Sequence, residues 1–206
     1  MILPRNPSLR STSARCSSIV IVTPRLLLPL LLALSALVPA RAAFDQVPTF
    51  DELVTEAGAI VLTEVLETKS EWRQLGDRRA IVTDVRLRVE QSLKGRNDGV
   101  LTVSLLGGFV GDVNQRVAGM PHFLVGDNDV LFLSAQRTLV SPIVGLSHGR
   151  FRVVMGHGGA GRYVANAALQ PILSVNSYAR PERLAAGQRA LALDDFLGLI
   201  AARVRQ

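Results

Sequence analysis

From Ile81 onward the chain alternates: Ile81, Thr83, Val85, Leu87 and Val89 share one parity, while Asp84, Arg86, Arg88 and Glu90 share the other. Successive side chains of a strand point to opposite faces, so this pattern predicts a strand with one dry and one wet face. Such a strand belongs in an antiparallel sheet, because parallel sheets are covered on both faces and read as unbroken apolar runs. Ala59 to Glu67, with Ile60, Leu62 and Val65, reads as a second strand, and Val100 to Leu106 as a third. Val130-Leu131-Phe132-Leu133 is short and wholly apolar, as a buried strand is, and 140–146, 150–155 and 162–165 complete the β part. Thr68 to Arg79 reads as a polar loop, Lys94 to Gly99 as a turn, and Gly156 to Gly161 as a hairpin tip.

Two helices flank these strands. Thr49-Phe50-Asp51-Glu52 fits a capping box, Phe50, Leu53, Val54 and Ala57 follow at helical spacing, and Gly58 supplies a stop. A polar linker over 174–189 leads to a last amphipathic helix within 190–205, capped by Asp194, with Phe196, Leu197, Ile200 and Val204 on its apolar side. Short strands without βαβ alternation, and a helix at each end, predict a mainly β fold. The expected form is a small antiparallel OB-like barrel or sandwich with a short N-terminal helix and a C-terminal amphipathic helix.

The first 42 residues read differently. They hold Arg5, Arg10, Arg15, Arg25 and Arg41, no acidic residue, and an apolar run from Leu26 to Val38 followed by Pro39 and Ala40-Arg41-Ala42. A basic stretch, a short apolar core and a small-residue exit describe a secretory signal peptide over 1–42, cut before Ala43. The apolar run spans roughly 20 Å as a helix, short of the hydrocarbon core of a bilayer. Translation beginning near Val20 or Val22, rather than at Met1, would give a more compact leader. The expected product is a single exported β domain over 43–206, periplasmic or secreted, without stable membrane insertion.

The leader also explains the charge. The whole chain carries 23 basic and 17 acidic residues, a net +6. All five basic residues of the leader lie outside 43–206, which therefore keeps 18 against 17. Nothing in that balance attracts nucleic acid or anionic lipid non-specifically. The only cysteine is Cys16, so 43–206 has no thiol for a disulfide, a metal or a nucleophile.

Three motifs resemble chemistry. Gly145-Leu146-Ser147-His148-Gly149 matches the G-x-S-x-G nucleophile elbow, but Arg150 to Val154 continue like a strand where the elbow needs a helix, so a turn between strands is the preferred reading. Gly156-His157-Gly158-Gly159-Ala160-Gly161 matches G-x-G-x-x-G, yet too little chain follows to build a dinucleotide fold. His122, His148 and His157 lack metal-ligand spacing, and Asp127-Asn128-Asp129 reads as a turn rather than a calcium loop. No cofactor and no metal are expected. The dense basic region Arg78, Arg79, Arg86, Arg88, Lys94 and Arg96 is interleaved with acids, as a salt-bridged sheet face is.

Ala59-Ile60-Val61, the strand ending Val89-Glu90-Gln91-Ser92-Leu93-Lys94-Gly95, and Gly126 before Val130-Leu131-Phe132-Leu133 resemble netrin-like modules, the OB-type barrels shared with tissue inhibitors of metalloproteinases. Gly107-Gly108, Val117 to Phe123 and Val144 to Val153 are similar to a group of exported bacterial proteins to which no activity is assigned. The likeness spans about residues 57–155. It implies a non-enzymatic binding module acting on an envelope or extracellular protein, a protease among the candidate partners. The inhibitors chelate zinc through an N-terminal cysteine. The expected N-terminus here is Ala43-Phe44, so that mechanism does not carry over.

Gly107 to Gly119 is the expected contact loop. It has four glycines and no clear period, with Phe109 and Val110 as an apolar anchor and Asp112, Asn114, Gln115 and Arg116 as a polar rim. The alternative function is a small serine hydrolase using Ser147 in the Gly145–Gly149 motif.

Overall fold

A computed structural model describes residues 47–136, 140–156, 161–179, 184–185 and 187–206. The leader and His157 lie outside them. A short helix α1 (Phe50–Glu56) runs directly into β1 (Ala57–Leu75), which turns back as β2 (Arg78–Lys94) and again as β3 (Val100–Leu106). A small hairpin, β4 (Gly108–Val110) and β5 (Val113–Gln115), precedes β6 (Asn128–Ser134). A 3-10 turn (Leu146–Gly149), β7 (Arg150–Met155), β8 (Arg162–Ala165) and helix α2 (Leu193–Val204) complete the chain.

The fold is mainly β and antiparallel, with a short N-terminal and a C-terminal helix, as the alternation predicts. Its main sheet runs β3-β2-β1-β6-β7-β8 and stays open among the described residues. The first part of β1 is central: Glu64 pairs with Arg88 of β2 on one side and Asn128 of β6 on the other. Beyond Thr68, β1 leaves β6 and runs on beside β2, and past Glu71 and Val82 the two continue as a two-stranded ribbon to a tight turn at Gly76-Asp77. The expected polar loop over 68–79 is therefore strand. Its polar residues suit an exposed ribbon, where Arg73 bridges Glu71 (2.7 Å) and Asp84.

Both faces of the central strands are buried. Ile60, Leu62, Val130, Phe132 and Phe151 face α1 and α2, whereas Val61, Val85, Leu87, Leu131 and Leu133 face Phe123 and Ile143. The short run of β6 supplies both layers, which is why it lacks alternation. Only toward β2 and the ribbon does one face turn wet, and there Arg86 and Arg88 pair with Glu67 and Glu64 across the ladder.

Helix α1 has seven residues, too few to persist alone. Its capping box forms: the Glu52 N–H donates to Thr49 Oγ1 (3.2 Å), and the Thr49 N–H donates to Glu52 Oε2 (2.6 Å). At the other end Lys94 Nζ reaches over from β2 to the Val54 carbonyl (2.6 Å), satisfying a terminal acceptor. Gly58 is not the stop, since it already lies in β1. Phe50 anchors the helix between Phe132 (5.9 Å between centroids), Phe151 (6.3 Å) and Phe196 (5.7 Å).

Three further expectations change. Residues 140–146 contribute only an isolated bridge between Ile143 and Leu133, because Pro142 and left-handed Gly145 and Leu146 break the strand. Asp194 is not the cap of the last helix; Ala192 is, and Asp194 and Asp195 sit in the first turn, where their charge complements the helix dipole. The described part of 174–189 is more than linker. Val175 and Tyr178 are buried in the helix-side core, and the Tyr178 hydroxyl donates to the Pro48 carbonyl.

Phe50→Ala should cost about 3–5 kcal/mol in urea unfolding, since it empties the joint between helix and sheet. A change below about 1 kcal/mol would show that the aromatic cluster does not carry α1.

Candidate functional site

The Gly107 to Gly119 segment is largely ordered secondary structure. β4 and β5 pair as a hairpin, Phe109 opposite Asn114 and Val110 opposite Val113, around a turn at Gly111-Asp112. It is held against the β1–β2 ribbon by a chain of hydroxyls: Ser70 Oγ lies 2.8 Å from Thr83 Oγ1, which donates to the Gly107 carbonyl (2.6 Å). Gly108 makes this approach possible. With φ at 135°, a Cβ there would stand 2.2 Å from Thr83 Oγ1.

The predicted anchor and rim separate in this geometry. Phe109 is 60% exposed, and Val110 is half-buried. Asp112, Asn114 and Arg116 are exposed as a rim requires. Gln115 is not rim: it is half-buried and its Oε1 accepts the Ile81 N–H (2.9 Å), tying the hairpin to β2. Phe109, Gln115 and Arg116 line a cleft of about 400 Å³, closed on the far side by Met120, Phe123 and Leu124. Val110, Asp112 and Asn114 do not line it.

Segment Gly119–Leu124 is a wall shared with a second cavity of about 530 Å³. That cavity gathers His122, Ser147, His148, Arg150, Arg152 and Tyr178. Ser147 lies in the 3-10 turn after Gly145 (φ 60°) and Leu146 (φ 54°), and β7 follows at once. The strand-turn-helix of a nucleophile elbow is thus replaced by a turn into a strand. The described residues contain no hydrogen bond between Ser147 Oγ and either His122 or His148. Burial pushes the Tyr178 hydroxyl up to about 12, with Glu52 adding to the shift.

Beneath the wall lies a charge cluster that the sequence reading missed. Arg150 is buried with 1% of its side chain exposed, and Asp129 beside it is fully buried. Arg150 donates to both Asp129 oxygens (2.9 and 2.8 Å), to Asp127 Oδ2 (2.8 Å) and to the His122 carbonyl. Its guanidinium also stacks 3.9 Å over the Phe123 ring. Arg152 pairs with Asp127 and lies 3.5 Å from Asp129. Burial pushes the Asp129 carboxyl up, against the pull of the two guanidiniums. Asp129 is therefore strand, not turn, and Asp127 alone keeps the turn role, accepting the Leu124 N–H (2.9 Å). The available signal was the matched spacing: two acids two apart and two arginines two apart, on strands that pair Asp129 with Arg152.

Asp129→Asn should cost about 3–5 kcal/mol, because it removes the fully buried one of the two carboxylates that pair with Arg150. The double change Asp129→Leu, Arg150→Met should cost clearly less than the two single changes together, as measured by a double-mutant cycle. Additive costs would mean the pair is not coupled.

Comparison with family models, with curated proteins and with solved structures finds no match to this chain.

Proposed function

We propose that this chain is an exported, non-enzymatic binding module that grips a protein partner in the envelope or outside the cell. The reading rests on one observation: Phe109 stands 60% exposed on a hairpin that hydrogen bonds fix to the sheet. An exposed aromatic on a fixed support loses little entropy on binding and is the kind of residue that dominates interfaces. Across the cleft Leu124, 68% exposed, gives the same surface a second apolar edge, and Asp112, Asn114 and Arg116 surround the hairpin tip. Export is supported by the sequence of residues 1–42. An OB-type relationship draws support from the β1–β2–β3 meander and from β6 returning to the free side of β1 before pairing with β7, although the sheet stays open between β7 and β3 among the described residues.

The double change Phe109→Ser, Val110→Ser tests it. Capture of an envelope protein by the purified chain should fall at least about tenfold while the melting temperature stays within a few degrees. Retained capture by the folded variant would remove the hairpin from the interface. Unfolding would show instead that the two side chains plug the sheet.

A second reading, a serine hydrolase, is favoured by one feature. Ser147, His122 and His148 share a cavity, and Leu146 beside them holds a left-handed conformation uncommon for a non-glycine residue. Under the binding reading a fluorophosphonate probe leaves Ser147 unlabelled and Ser147→Ala changes stability by less than about 0.5 kcal/mol. Covalent labelling of Ser147 would transfer the function to this cavity.

A further inference from the structure

We infer that β3 is a dimerisation edge, along which a second copy of this chain pairs antiparallel about a two-fold axis at Thr102. The inference is independent of the hairpin surface proposed above.

An open sheet exposes rows of backbone donors and acceptors, and proteins blunt such edges with charge, proline, bulges or covering chain. Two of the edges here are treated in that way. β8 is covered by the chain itself: Ala165 bridges Pro171, Tyr163 bridges Ala192, and the Val164 N–H donates to the Leu191 carbonyl (2.9 Å). The outer part of β1, past its pairing with β6, carries Lys69, Glu71 and Arg73. β3 has no such charges, and among the described residues the chain meets its edge only at Leu106. Its seven residues, Val-Leu-Thr-Val-Ser-Leu-Leu, contain no charge, no proline and no glycine.

The phase of the ladder shows which groups are free. The Val89 N–H donates to Gly99 O, and the Gly107 N–H to Ile81 O, both at 2.8 Å. Leu101, Val103 and Leu105 therefore direct their backbone groups to β2, and Val100, Thr102, Ser104 and Leu106 direct theirs outward. The Leu106 N–H is used by the Val140 carbonyl (2.9 Å). Among the described residues nothing pairs with the outward groups of Val100, Thr102 and Ser104.

Those three positions are self-complementary in a single register. With Thr102 opposite Thr102 of the other copy, Val100 opposes Ser104 and Ser104 opposes Val100. Each opposed pair exchanges two hydrogen bonds, and no group already bonded is required. On the buried face Leu101 meets Val103, apolar against apolar. On the outer face no charge stands directly opposite a like charge. Asp84 and Arg88 of the two copies fall on the same rungs, three strand spacings or roughly 14 Å apart, with opposite sign, while on the axis rung Arg86 meets Arg86 of the second copy at the same separation, two opposite-sign rungs against one like-sign rung. A foreign strand would satisfy the hydrogen bonds but has no reason to match both faces at once. The second copy does so by symmetry.

The test is charge complementation at the axis. Sedimentation equilibrium of the full chain, purified as the cell processes it, should give twice the monomer mass at micromolar concentration. Thr102→Lys and Thr102→Glu each place like charges face to face and should weaken association at least about tenfold with the melting temperature unchanged, because Thr102 is exposed. Mixing the two variants should restore a dimer, since Lys then faces Glu. If either variant fails to fold, Val100→Glu mixed with Ser104→Lys makes the same test on the neighbouring rung. A monomeric wild type overturns the inference, as do like-charged variants that remain dimeric or a mixture that stays monomeric.

Discussion

The buried guanidinium of Arg150 ties β7 to β6, to the turn before it and to the wall between the two clefts. A charge held out of water is tolerable only when it is paired and its donors are satisfied. Here the partners come from three places: Asp129 on β6, Asp127 in the preceding turn, and the His122 carbonyl in the wall between the two clefts. Each partner is itself anchored. Asp127 accepts the Leu124 N–H through its side chain and the Val65 N–H through its carbonyl, which fastens the turn to β1. The Asp129 carbonyl receives the Thr63 hydroxyl (3.2 Å). Through the Ser147 N–H, which donates to Gly119 O (3.1 Å), the wall is also joined to the 3-10 turn. Arg150 thus holds the wall that both clefts share at His122, although neither the hairpin nor Ser147 touches it by hydrogen bond.

How much of this was legible depends on the range of the interaction. The β2 alternation, the capping box at Thr49 and the apolar run of β6 are local signals, and each appears where it was expected. The β1 side of the ribbon was not legible, because Thr68 to Gln74 holds no apolar residue but Trp72 and so has no apolar period to read. Its Lys69, Glu71 and Arg73 look like loop chemistry until β2 lies beside them with Asp84. Asp129 and Arg150 were hidden for the same reason. One resembled a turn residue and the other a wet strand position, and burial is a property of the pair in space. The glycines divide likewise: Gly107-Gly108 announced irregular backbone, but not that Gly108 lets a hairpin sit against two hydroxyls.

The contact residues were legible in type more than in placement. An aromatic after two glycines does stand exposed: Phe109 is 60% exposed at the rim of the cleft it lines. Gln115 sits one position beyond Asn114 on β5, which turns its carboxamide back to Ile81, whereas Asp112 lies in the turn before the strand. A polar side chain near an apolar anchor is thus either rim or tether. Composition does not distinguish the two; strand parity does.

The openness of the sheet follows from how the chain spends its strands after β6. A closed OB-type barrel would bring the strand after β6 against β3. In this chain β7 pairs instead with β8, and β8 is capped in turn by Pro171, Ile172 and the segment entering α2. The helix-side core rewards that arrangement, since the Phe151 ring packs tilted against Phe196 with centroids 4.9 Å apart, and Val164, Ile172 and Leu193 are buried with them. Closure around β3 would pull β7 away from those contacts. The C-terminal segment therefore does two jobs through one packing choice: it shields the far edge of the sheet, and among the described residues it leaves Val100, Thr102 and Ser104 of the near edge, β3, without a backbone partner.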